Sequence, residues 1–177
     1  MQVLFSVENA EAITRAFFQA PEMVLEELET TMLTVTEYLV GQTQERTPAD
    51  QGILKQAFIS TVHVSPGLDT VFGTVSNPLP YALPVELGTK PHYPPIAPLE
   101  AWAERHVEFV DEEFGGDVFA AALAIQRKIG RYGTPGYGMA HFALRDGEST
   151  INAEFAECAV RIQRRLAATG DGRGSAA

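Results

Sequence analysis

Four histidines, one cysteine and a carboxylate beside a turn are the residues of this chain best suited to chemistry. His63, His92, His106 and His141 could supply nitrogen to a divalent metal, but they fall in four different segments without a paired spacing such as His-Glu-x-x-His. Cys158 is the single cysteine, so neither an intrachain disulfide nor a cysteine-rich zinc centre can form. It sits on a helical pattern, far from any loop histidine that could serve as its base. Glu86 with His92 is the one local pair of acid and imidazole in a turn-rich segment. Without a nucleophile or a metal motif beside it, the pair reads as hydrogen bonding that holds a loop. No Gly-x-Ser-x-Gly elbow occurs. GRYGTPGYG has the glycines of a phosphate cradle but lacks the Lys-Ser/Thr that must follow, and no strand precedes it. These residues predict no enzyme, no metal and no cofactor. A small hydrolase using Glu86, His92 or Cys158, or a plain binding module, stands as the rival of a different class.

The elements that position these residues start from an ordinary composition. A chain of 177 residues, 45% hydrophobic and 20% charged, is long enough for one domain with terminal extensions. No window approaches the roughly 18 apolar residues of a membrane span, and the first residues lack the basic start and long apolar run of a secretory signal. Synthesis in the cytoplasm is expected. The net charge of −10 opposes general attraction to nucleic acid or anionic lipid. Acids crowd Glu22 to Glu45 and Glu100 to Asp117, whereas bases gather at Arg127, Lys128 and Arg131 and again at Arg161, Arg164 and Arg165. Faces of opposite sign suit protein association.

QVLFSV reads as a short strand, and Asn9 can cap a short helix through Phe18. Pro21 opens a long helix with Leu25, Leu28, Met32, Val35 and Leu39 on one stripe, ended at Thr47-Pro48. Two β-rich runs, QAFISTVHV and DTVFGTVS, are joined by a Pro66-Gly67 type II turn into a hairpin. Phe58, Val62 and Val64 share one face of it, Ile59, Thr61 and His63 the other. After the proline-rich stretch, Pro98 begins a helix with Leu99, Trp102, Ala103, His106 and Val110 on its stripe. A second helix follows, capped by Asp117, with Val118, Ala122, Ile125 and Ile129 inward and Gly130 and Gly133 as its stop. A last helix near Ala153 to Ala167 buries Phe155, Ala159, Ile162 and Leu166, with Cys158 beside them. The tail 168–177 has nothing to bury and is expected to be disordered. The class is α+β: a small antiparallel sheet, the hairpin plus the N-terminal strand, packed against a long helix and further C-terminal helices. The range 1–167 is read as a single domain.

Two stretches remain, TPADQGILKQAF and YALPVELGTKPHYPPIAPLEAWAERH. Thr47, Pro48, Asp50, Gly52 and Leu54, then Tyr81, Ala82, Glu86, Gly88 and Thr89, then Pro94, Pro95 and Pro98, then AIQRKIGRYGTPG, follow an order that resembles the tail-component family of tailed bacteriophages, the neck or tail-completion proteins. The likeness runs from about Leu25 to Gly136, departing at Gln51, where the family favours threonine, and at Ala57, where it favours serine. It implies a structural protein of the virion at the junction of head and tail, made in the host cytoplasm, completing the tail or joining it to the head connector. A tail terminator capping the tube is the near alternative. Its implied partners are copies of itself in a ring, expected to number six, the head connector or adaptor proteins, the terminator or tube proteins, and DNA passing through the lumen without sequence-specific contact; no membrane is involved. Asp50-Gln51-Gly52 would make a tight reversal, and Tyr81 to Glu86 a helical turn ended at Gly88, leaving Thr89 to Pro98 as a semi-rigid extended loop. The expected contact residues are Asp50, Gly52, Tyr81, Glu86, Gly88, Thr89, Pro94, Pro95 and Trp102. Arg127, Lys128 and Arg131 form a basic patch that could meet DNA, a tape-measure protein or a neighbouring subunit.

Overall fold

The fixed φ of proline suits the first turn of a helix, and Pro21 begins α1 (Pro21–Arg46). The computed structural model describes residues 18, 20–65 and 70–171. The N-terminal strand, the Asn9 helix up to Phe18 and the Pro66-Gly67 turn lie outside these. Along α1 the buried stripe is Val24, Leu28, Met32, Val35 and Leu39, with Leu25 only half-buried. Three threonines, Thr31, Thr36 and Thr43, share that buried face. They can do so because each hydroxyl donates to a carbonyl one turn back: Thr31 to Glu27 (2.8 Å), Thr36 to Leu33 (3.0 Å) and Thr43 to Leu39 (2.7 Å). No hydroxyl is then left unpaired away from water. Thr47 ends the helix with extended backbone ahead of Pro48.

Gly52, at φ 76°, turns the chain into a single helical turn, α2 (Ile53–Gln56), which stands where a direct reversal into the hairpin was expected. Strands β1 (Ile59–Ser65) and β2 (Thr70–Ser76) pair antiparallel, Ile59 facing Ser76 and Ser65 facing Thr70. Period-2 alternation holds on β1: Ile59, Thr61 and His63 are exposed, Val62 and Val64 half-buried, and Phe58 just before it is buried. Both strands pack on α1.

The last helix, α7 (Met139–Asp171), is 33 residues long. It starts well before Ala153 and extends past Ala167, so residues 168–171, expected in a disordered tail, are helical. Gly147 lies inside the helix, buried against the Tyr38 ring of α1. Ala140, Ala143, Ile151, Phe155, Cys158, Ala159 and Ile162 make one buried stripe facing α1; Leu166 is half-buried. Arg161 and Arg165 then reach Glu27 at 3.0 and 2.8 Å, Arg165 also holds Glu26 (2.8 Å), and Arg161 donates to the Thr31 hydroxyl (2.8 Å). Part of the expected charge asymmetry is therefore satisfied inside the chain.

The contacts divide the chain into two compact units. The first comprises the residues to Ala82 and those from Gly138, and the second Leu83–Tyr137. The second holds most of α3 (Ala82–Leu87), then β3 (Gly88–Thr89), α4 (Ile96–Arg105), α5 (Val107–Phe114), α6 (Val118–Tyr132) and β4 (Thr134–Pro135). The one helix expected from Pro98 through Val110 is two. At His106 (φ −112°, ψ 55°) the backbone N–H donates to Ala103, while the ring Nδ1 takes the Trp102 carbonyl at 2.8 Å. That carbonyl is the one an unbroken helix would have paired with the His106 amide. The imidazole also stacks on Trp102, centroids 3.9 Å apart. Ala103, Val110 and Ala121 form the small core, with Trp102, Phe114 and Val118 packed on it. Among the described residues the architecture is α+β, seven helices with two two-stranded antiparallel sheets.

Candidate functional site

The proline-rich stretch and the glycine-rich GTPGYG meet in the second unit. Gly88 lies opposite Pro135 and Thr89 opposite Thr134 in a two-residue antiparallel ladder. The Thr89 and Thr134 hydroxyls lie 2.9 Å apart, and the Thr134 amide donates to the Thr89 hydroxyl (3.2 Å). Tyr137 donates its amide to the Val85 carbonyl (2.9 Å). So short a ladder is marginal from strand pairing alone. What allows it is the absence of side chains where the backbones meet: a Cβ on Gly133 would overlap the Thr89 carbonyl, and one on Gly88 the Thr134 carbonyl. Both glycines also have positive φ, 72° and 78°. Gly88 does end the helical turn α3, as the sequence predicts.

The loop beyond is fastened rather than free. His92 donates its amide to the Ile129 carbonyl (3.4 Å), and Gln126 Nε2 donates to the Pro94 carbonyl (2.8 Å). The Tyr93 ring lies over Gly130, where a Cβ would collide with it. Gly130 therefore does not stop α6. It lies inside the helix and makes room for an aromatic ring, while Gly133 is the stop. The loop is also shorter than expected, because Thr89 is in the ladder and α4 begins at Ile96.

Glu86 is buried within α3. His92 is exposed, with its ring Nδ1 on the Lys90 carbonyl (2.9 Å). Thr89 and Pro94 are half-buried and Pro95 exposed. Trp102 is part of the unit's own packing. Asp50, Gly52 and Tyr81 belong to the first unit, so the expected contact residues divide between the two units. Asp117 caps α6 as expected, accepting from the Ala120 amide (2.9 Å); Ala121 and Ala122 are fully buried, and Val118, Ile125 and Ile129 partly so. Arg127, Lys128 and Arg131 are all exposed on its last turns, Arg131 lying over the Tyr132 ring at 5.3 Å.

Sequence reasoning missed Gly133, Thr134, Gly136 and Tyr137 as the counterpart of LGT. Their signal is a second threonine between glycines, the same small-residue pattern that Gly88-Thr89 begins. It also missed the exposed apolar side chains around the ladder: Leu87 and Tyr93 (both 71% exposed), Tyr132 (68%) and Tyr137 (54%).

The four histidines stay in separate elements, and no group of three His, Cys, Asp or Glu among the described residues could hold a metal. Cys158 is buried between α1 and α7, its thiol 3.7 Å from the Glu27 carbonyl, and burial pushes its pKa up. Among the described residues no helix is long and apolar enough to cross a membrane. No family model, curated protein or solved structure matches this chain.

Proposed function

We propose that this chain is a structural protein of the virion of a long-tailed bacteriophage, completing the tail or joining it to the head connector as a ring of identical copies. The observation that carries the reading is the tied junction of the second unit. The motifs responsible for the family resemblance, Glu86-x-Gly88-Thr89 and the prolines after it, are held on a fixed platform by glycines, backbone bonds and the Gln126 side chain. Around that platform stand Leu87, Tyr93, Tyr132 and Tyr137, four large side chains with more than half their surface in water. Aromatic side chains on a fixed support are the anchors that protein interfaces favour, because little conformational freedom is lost on docking. Tail termination is the second reading, favoured by the same platform.

Electron microscopy of lysates from phage carrying an early stop codon in this gene tests the proposal. Filled heads beside separate tails of normal length are expected. Overlong, uneven tails would replace joining with termination, and infectious, normally joined particles would overturn both.

A further inference from the structure

The second unit is electrically polarised along α6. Every acidic residue after Glu86 in that unit lies between Glu100 and Asp117, and from Val118 to Tyr137 there is none, while Arg127, Lys128 and Arg131 are all there. At 1.5 Å per residue the cap Asp117 and Arg131 are about 20 Å apart. That exceeds the Debye length of roughly 8 Å at physiological salt, so the two ends do not neutralise each other through solvent. Both ends are exposed, and both carry large apolar groups. Asp111, Glu112 and Glu113 precede α6 beside exposed Val107 and Phe109, and exposed Phe119 follows in its first turn, whereas the basic end has Tyr93 and Tyr132. Among the described residues neither Arg127 nor Lys128 has an ion-pair partner. The helix dipole accounts for bases in a last turn, but it gives no reason for tyrosines in water beside them.

We infer that the basic, tyrosine-bearing end of α6 docks on the acidic end of α5 and α6 in a second copy of this chain. This rests on the ring of copies proposed above and names the surfaces that would form it. The two patches differ, so the contact is head-to-tail and repeats from copy to copy until the ring closes. Complementary charge sets register and partner choice, and the aromatic groups supply the apolar area. The chain's net charge of −10 makes nucleic acid the poorer occupant of the basic end.

The test uses the purified full chain in mass photometry and sedimentation equilibrium. One variant reverses the acidic end (Glu112→Lys with Glu113→Lys), a second the basic end (Arg127→Glu with Arg131→Glu), and circular dichroism checks that both fold. Wild type should assemble. Each variant alone should associate at least tenfold more weakly, and an equimolar mixture should assemble again, since the two then present one native and one doubly reversed contact. Raising salt to about 0.5 M should weaken wild-type assembly, a readout that needs no variant. A wild type that stays monomeric, variants that assemble as wild type does, or folded variants whose mixture stays apart would each overturn the inference. A monomer that instead binds a single-stranded oligonucleotide through Arg127 and Arg131 would overturn it in favour of nucleic acid. Stop-codon lysates with unjoined heads and tails would leave the virion role standing even if the copies do not associate this way, so the two failures are distinguishable.

Discussion

The two units solve the same problem with different materials. In the first, two long helices lie along each other, and specificity resides in side chains: an apolar stripe on each helix, threonines whose hydroxyls are returned to the backbone, and the Arg161, Arg165, Glu26 and Glu27 cluster. In the second, the helices are short, the core consists of Ala103, Val110 and Ala121 with three partners, and closure depends on places where side chains are missing. A stripe of large residues tolerates small adjustments by repacking. A glycine held against a backbone carbonyl has no such slack, because the clash is with atoms that cannot rotate away.

This contrast can be broken first in the long-helix unit. Phe155→Ala removes a ring that is 2% exposed and should destabilise the chain by about 4 kcal/mol, read from denaturant midpoints by circular dichroism. Trp102, the single tryptophan, lies in the other unit, so its fluorescence should keep a separate midpoint. Coincident shifts of both signals would dissolve the contrast by making the two units one cooperative body. Gly133→Ala is the reciprocal experiment. A Cβ at φ 72° overlapping the Thr89 carbonyl should lower the fluorescence midpoint by the equivalent of about 3 kcal/mol, and an unchanged midpoint would show that the ladder does not hold the unit closed.

A smaller effect sharpens the electrostatic half. The hydrogen bond from Arg165, joined by Arg161, holds the Glu27 carboxyl below its ordinary 4.5 against an opposing effect of burial. A lowered carboxylate value stabilises the fold above the unfolded value, and that contribution is lost as pH falls below 4.5 through the lowered folded value. Glu27→Gln should therefore reduce stability at pH 7 by about 1 kcal/mol, since Arg165 is half in water, and flatten the acid limb below pH 4.5. An acid limb as steep as in wild type would mean that other carboxylates govern it.

Much of the first unit was legible because its signals are local and periodic. The stripe of α1, the hairpin and the burial of Phe155, Ala159 and Ile162 follow from spacing alone. The threonines on α1 were not, since whether a threonine faces water or returns its hydroxyl to the turn behind it does not show in its type. The N-terminal half of α7 carries no such stripe in sequence, and its glycine, Gly147, is accommodated by a ring on another helix. In the second unit the break at His106 depends on a side chain competing for one carbonyl, and the ladder joins segments 45 residues apart. Non-local pairing of two residues carries almost no pattern. The exposed tyrosines were invisible for the opposite reason: sequence tells which residues could be buried, not which of them the fold leaves outside.

The bond between Tyr137 and Val85 places the two ends of the second unit side by side. What lies between them is, in polymer terms, a closed loop, and doubling the length of a flexible loop adds only about 0.6 kcal/mol to the entropy of closing it. Lengthening an exposed turn between Thr89 and Thr134, with the ladder spared, therefore adds little to the entropy of closing the segment. The segment from Leu83 to Tyr137 is thus a folded loop whose two ends are pinned together by a backbone bond.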